Sequence, residues 1–80
     1  MKQVNKMPSN IRDALIYWTE SVERLGIREI RKIPSYHDEP LQGFRFGQRS
    51  IRLNRSYRAI YREINNHVEL CVIEVTKHAY

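Results

Sequence analysis

A loop carboxylate, a run of arginines and a histidine near the end of the chain are the residues that could do chemistry together. Glu39 stands in a stretch of turn composition, residues 35–43, beside Asp38 and Pro40. From Phe44 to Arg62 the charged residues are Arg45, Arg49, Arg52, Arg55, Arg58 and Arg62, with no Lys, Asp or Glu among them. The sequence ends Lys77-His78-Ala79-Tyr80. Such a set is enough to cut RNA. A base removes the proton of the 2′-OH, which attacks its own phosphate; an acid protonates the departing 5′-oxygen; cations stabilise the charged phosphorus. A carboxylate, a histidine of near-neutral pKa and two arginines supply all three roles. DNA has no 2′-OH, so the same groups would leave it intact. Planar guanidinium groups pair with phosphate oxygens in a bidentate way and stack on bases, so an all-Arg run leans toward nucleic acid. The plainer reading is a solvated sheet face beside an acidic partner.

Other chemistries lack their residues. His37, His67, His78 and Cys71 show no metal-ligand spacing, and no metal or other cofactor is expected. Cys71 lies in an apolar run and reads as inert core, and a lone cysteine offers no internal disulfide, which favours a reducing, cytoplasmic setting. There is no glycine-rich phosphate loop, since Gly43 and Gly47 stand apart and alone. No apolar stretch nears the roughly 18–20 residues that span a bilayer, so no membrane partner is expected. The two lysines before Met7 have no apolar region behind them, so no signal peptide is expected either. A net charge of +5 permits an anionic partner without choosing it.

Eighty residues make a single domain, 1–80, with a modest core. Ser9 or Asn10 reads as an N-cap, with Asp13 in the first turn. Ile11, Ala14, Leu15, Trp18, Val22 and Leu25 then follow at helical spacing, and Gly26 suits the C-terminal stop. Ile27, Ile30 and Ile33 mark a short second helix that Pro34 ends. After the loop the period changes to two. Strands are predicted over 49–54, 57–64 and 68–75, joined by Asn54-Arg55-Ser56 and Asn65-Asn66, with residues 2–7 as a candidate edge strand. The fold class is α+β: two N-terminal helices packed on one face of a small antiparallel β-sheet, the other face carrying arginine. Trp18 belongs in the core. Arg52 alternates with Ile51 and Leu53 and should face away from the helices. Arg58 shares its parity with Ile60 and Ile64, which requires either a bulge near Ser56 or a different strand reading. Tyr57 and Tyr61 share a face, as sheet packing or as base stackers.

Taken in order, Asp38-Glu39-Pro40-Leu41, then Gly47 to Leu53 (GQRSIRL), then Tyr57-Arg58-Ala59-Ile60-Tyr61, then Lys77-His78-Ala79-Tyr80, resemble toxins of the RelE/YoeB/HigB superfamily. These are bacterial type II toxin–antitoxin ribonucleases, and the resemblance covers nearly the whole chain. It implies a RelE-like fold and a ribosome-dependent, metal-independent endoribonuclease (an mRNA interferase). Such an enzyme cuts mRNA in the small-subunit decoding site and is neutralised by a cognate antitoxin. It also implies roles. Glu39 matches the carboxylate general base, Arg52 and Arg58 the phosphate-binding arginines, His78 the general acid, and Tyr80 a terminal Tyr that helps place base or phosphate. Arg45, Arg49, Arg55, Arg62 and Lys77 would add RNA contacts. The tail reads His-Ala-Tyr where the closest motif has adjacent His-Tyr, and members with several histidines make His37 a rival base. The plainer reading of Glu39 is a loop carboxylate that only pairs with a neighbouring arginine. The alternative function is that of a ParE-like relative, which poisons DNA gyrase without cutting.

Overall fold

A computed structural model describes residues 7–65 and 67–75. Helix α1 runs Ser9–Leu25 and the one-turn helix α2 Ile27–Ile30. A 3-10 turn at Pro34–Tyr36 leads to strand β1, Glu39–Pro40, and a second 3-10 turn at Gly43–Arg45 precedes β2, Gln48–Arg52. Strands β3, Tyr57–Ile64, and β4, His67–Val75, complete an antiparallel sheet of order β1-β2-β3-β4. The class is therefore α+β, helices first and a four-stranded antiparallel sheet after. None of the described helices is long and apolar enough to cross a membrane.

The helix ends follow local chemistry. Ser9 is already helical, and Pro8 takes the cap position, its carbonyl accepting from the N–H groups of Ile11 and Arg12 without a side-chain cap. Proline lacks the N–H that a cap would leave unpaired, so it is tolerated there. Gly26 ends α1 at φ 88°, a conformation that suits glycine, and its N–H donates to the Val22 carbonyl. Ile11, Leu15 and Trp18 are buried and Val22 packs beside them, whereas Leu25, read as part of the stripe, is 52% exposed. The stripe ends one turn earlier than its spacing suggested, because the Gly26 turn redirects the chain and Ile27 and Ile30 take over the contact. Ile33 too is exposed, beyond the end of α2.

Those helical residues meet Ile51, Ala59, Tyr61 and Ile73 from one face of the sheet. Trp18 and Tyr61 contact at 5.2 Å between ring centroids, tilted by 55°. An aromatic pair of this kind adds about 0.5–1.5 kcal/mol beyond the area it buries. Tyr61 is thus core and Tyr57 packs against it. The turn before β3 is closed by Asn54, whose side-chain oxygen accepts from the N–H groups of Ser56 at 2.7 Å and Tyr57 at 2.9 Å. Asn65 takes φ 50° in the next turn.

The parity conflict at Arg58 resolves without a bulge near Ser56. Register is regular from Tyr57 to Ile60, and the irregularity lies between Ile60 and Tyr61, where Ile60 faces Val72 and Tyr61 faces Leu70. The extra residue is Cys71. It is exposed, against the expectation of inert core, because the bulge takes it out of alternation. Arg58 and Ile60 both point away from the helices, and Ile60 and Ser50 are nevertheless buried there. The chain between β1 and β2 folds back toward this outer side, since Arg45 from that connection reaches Glu74 at the far end of β4. Residues 2–6 of the candidate edge strand lie outside the described residues.

Candidate functional site

Alternation along the strands sorts the arginines. Arg49 pairs in register with Tyr61 and faces the helices, while Arg52 pairs with Arg58 and Gln48 with Arg62 on the outer side. Six arginines therefore do not make one surface. Arg52, Arg58 and Arg62 project outward from the strands, Arg45 joins them from the folded-back connection, and Arg55 is exposed in the turn between β2 and β3.

The outer cluster centres on Glu74. Arg45 Nη2 donates to Glu74 Oε2 at 2.5 Å, and Arg58 Nη2 lies 3.5 Å from Glu74 Oε1. The hydrogen bond from Arg45, and the charges of Arg45 and Arg58, hold the Glu74 carboxyl below its ordinary range against the opposing effect of burial. Arg58 Nε is buried without a hydrogen-bond partner. Arg52, directly across from Arg58, is exposed and has no carboxylate within ion-pair distance among the described residues. Like charges placed opposite each other cost a few tenths to about 1 kcal/mol, a cost that a bound anion reverses. Arg62 is occupied differently, its Nε donating to Glu69 at 2.6 Å.

Glu39 stands on the same side. It pairs in register with Ser50, and both belong to the outer face with Arg52 and Arg58. Strand spacing puts its Cα about 8 Å from that of Arg52 and about 12 Å from that of Arg58. Its side chain is exposed and meets no cation within ion-pair distance among the described residues. The expected pairing with an arginine belongs to its neighbour instead. Asp38, with a side chain 1% exposed, accepts from Arg49 Nε at 2.5 Å and from the Tyr61 hydroxyl at 2.5 Å, with Arg31 Nε 3.9 Å away. Burial and the bond to Asp38 push the Tyr61 phenol up to about 12. This inner knot pins the residue before Glu39 to the core and leaves Glu39 facing out. Arg49, expected to contact RNA, is a part of the knot rather than of the outer face. In the sequence Asp38 looks like no more than a loop acid beside Glu39. A loop Asp–Glu pair, one member of which alternation sends inward, is the signal that could have found it.

His37 is exposed two residues before Glu39, at φ 48°. Lys77, His78 and Tyr80 lie outside the described residues. Among the described residues no three His, Cys, Asp or Glu side chains lie together as metal ligands do. A groove of about 520 Å³ lies elsewhere, between the helices and β4, lined by Trp18, Val22, Ile27, Val68 and Leu70 among others. It contains none of the outer-face arginines, so the charged surface rather than the concavity is the candidate site. Comparison with known proteins finds no match: no family model, no curated protein and no solved structure.

Proposed function

We propose that this chain is the toxin of a type II toxin–antitoxin pair of the RelE/YoeB/HigB kind, working in the cytoplasm as a ribosome-dependent endoribonuclease. The observation that carries the reading is the outer face itself. Among the described residues Glu39 and Arg52 meet no opposite charge within ion-pair distance, and they share this face with Arg58, whose Nε–H is buried without a hydrogen-bond partner. Glu39 takes the 2′-OH proton. Arg52 and Arg58 hold the phosphate and stabilise the charge that builds on it. His78 supplies the proton to the 5′-oxygen, and Tyr80 helps place the substrate. Arg45 and Glu74 hold the Arg58 fork in place, and Arg62 and Arg55 extend the positive field along the RNA.

Carboxylates are weak bases at neutral pH, so much of the rate must come from the arginines. The ribosome supplies an mRNA held in a fixed path, and positioning of that kind lowers the barrier further. The cognate antitoxin blocks this face or entry to the ribosome with a segment of complementary charge. The test is to add purified protein to a translation extract and map mRNA ends by primer extension. Cuts at defined positions within codons, lost in Glu39→Gln, support the reading. Intact mRNA together with blocked supercoiling by DNA gyrase would instead fit the non-cleaving, ParE-like function.

A further inference from the structure

Phe44 and Phe46 are 98% and 83% exposed, the two most exposed large apolar side chains among the described residues. They flank Arg45 in the connection between β1 and β2, and Gly43 and Gly47 bracket them at φ 69° and 97°. Such φ values suit glycine and let the chain turn sharply on either side of the pair. Arg45 bonds to Glu74 at 2.5 Å, which fastens this connection down on the outer face. Its guanidinium carbon also lies 5.9 Å from the Phe44 ring centroid. Both rings stand in water, in the connection whose Arg45 reaches the side of the sheet that carries Arg52 and Arg58.

We infer that Phe44 and Phe46 form a stacking platform for unpaired bases of single-stranded RNA whose phosphates lie on Arg52 and Arg58. The inference rests on the proposed ribonuclease function for its ligand class and adds which part of the substrate the protein grips. A protein or membrane partner would be met by a contiguous apolar patch. Here two rings are separated by a guanidinium and bracketed by glycines, with no third large apolar side chain between Gly43 and Gly47. Aromatic rings beside a cationic track are the pattern of sequence-tolerant single-strand binding, because every base has a π-face. Stacking on two rings also explains how a flexible strand could be held with one phosphate over Arg52 and Arg58.

The test is fluorescence anisotropy of the full chain with a short labelled single-stranded RNA carrying 2′-O-methyl sugars, which cannot be cut by 2′-OH attack. Each of Phe44→Ala and Phe46→Ala should weaken binding roughly 10–100-fold. F44W/F46W should restore it, and the salt dependence should stay as in the unaltered chain. Arg52→Ala should instead flatten the dependence of log affinity on log salt by about 0.7, the mark of one lost phosphate contact. Far-UV circular dichroism should show every variant folded. Ring variants that bind this RNA as tightly as the unaltered chain overturn the inference, including variants that lose only antitoxin or anionic phospholipid vesicles. So does an unaltered chain that does not bind the RNA at all. Cleavage of translated mRNA is read separately. A chain that cuts with dispensable rings keeps the ribonuclease function and loses the platform; one that binds through the rings without cutting does the reverse.

Discussion

Replacing Asp38 by Ala removes the centre of the inner charge knot, and the loss can be sized from its geometry. The carboxylate is 1% exposed and accepts two bonds of 2.5 Å, from Arg49 and from the Tyr61 hydroxyl. Breaking a buried ion pair from one side costs about 3–5 kcal/mol, because a charge stays behind without its partner. Arg49 and Arg31 keep 26% and 28% side-chain exposure, so water can reach them and the lower part of that range applies. The buried Tyr61 hydroxyl keeps only the longer contact to Arg31 at 3.4 Å. A net loss of about 3–4 kcal/mol is expected. The whole domain is expected to hold only about 4–12 kcal/mol at its length. At about 4–8 °C per kcal/mol, the midpoint of thermal unfolding should fall by roughly 10–30 °C. Circular dichroism melts and urea titrations measure it, with Tyr61→Phe as the milder control at about 1 kcal/mol. Asp38→Ala no worse than Tyr61→Phe would refute the claim that a buried carboxylate organises this end of the sheet.

Three further outcomes follow from the same geometry. Arg58→Ala should lower mRNA cleavage on ribosomes about 10²–10³-fold and at least as much as Glu39→Gln, with both proteins still folded; undiminished activity in both variants would remove these roles. The Tyr61 phenol, raised to about 12, favours the fold in its neutral form, so its contribution is intact below the ordinary tyrosine value and lost as pH rises through about 12. Urea unfolding across that alkaline window should show a steeper loss of stability in the unaltered chain than in Tyr61→Phe. Cys71, exposed at the bulge, should react with a thiol reagent in the folded protein about as fast as in urea, whereas a buried thiol would react only after unfolding.

Much of the fold was legible because its signals are periodic. The α1 stripe, the Gly26 stop and the strand alternation each rest on a local pattern, and Trp18 and Ile51 are buried where that pattern puts them. The second burial layer was not legible. Ile60 is buried on the outer side, where its alternation alone would put it in water, and the connection that carries Arg45 to Glu74 has no periodic pattern to announce its path. The strand β1 escaped notice because two residues, one of them Pro40, are too few for any alternation. Among the candidate site residues, Arg52 and Arg49 were both expected on RNA, yet strand register points them to opposite faces though both lie on β2. Charge counting could not, since six arginines in a row of sequence look alike until strand register divides them. Glu74 and the two exposed rings were missed for a related reason, their meaning depending on what they meet across the sheet.

The central claim is that this surface cuts translated mRNA through the RNA's own 2′-OH. It is tested most directly by programming ribosomes with an mRNA carrying one 2′-deoxy sugar at a mapped cleavage position. The account predicts that cutting stops at that position alone, while the unmodified message yields a 5′ fragment ending in a 2′,3′-cyclic phosphate. Cleavage that proceeds past the 2′-deoxy sugar, or leaves a free 3′-hydroxyl, would contradict it.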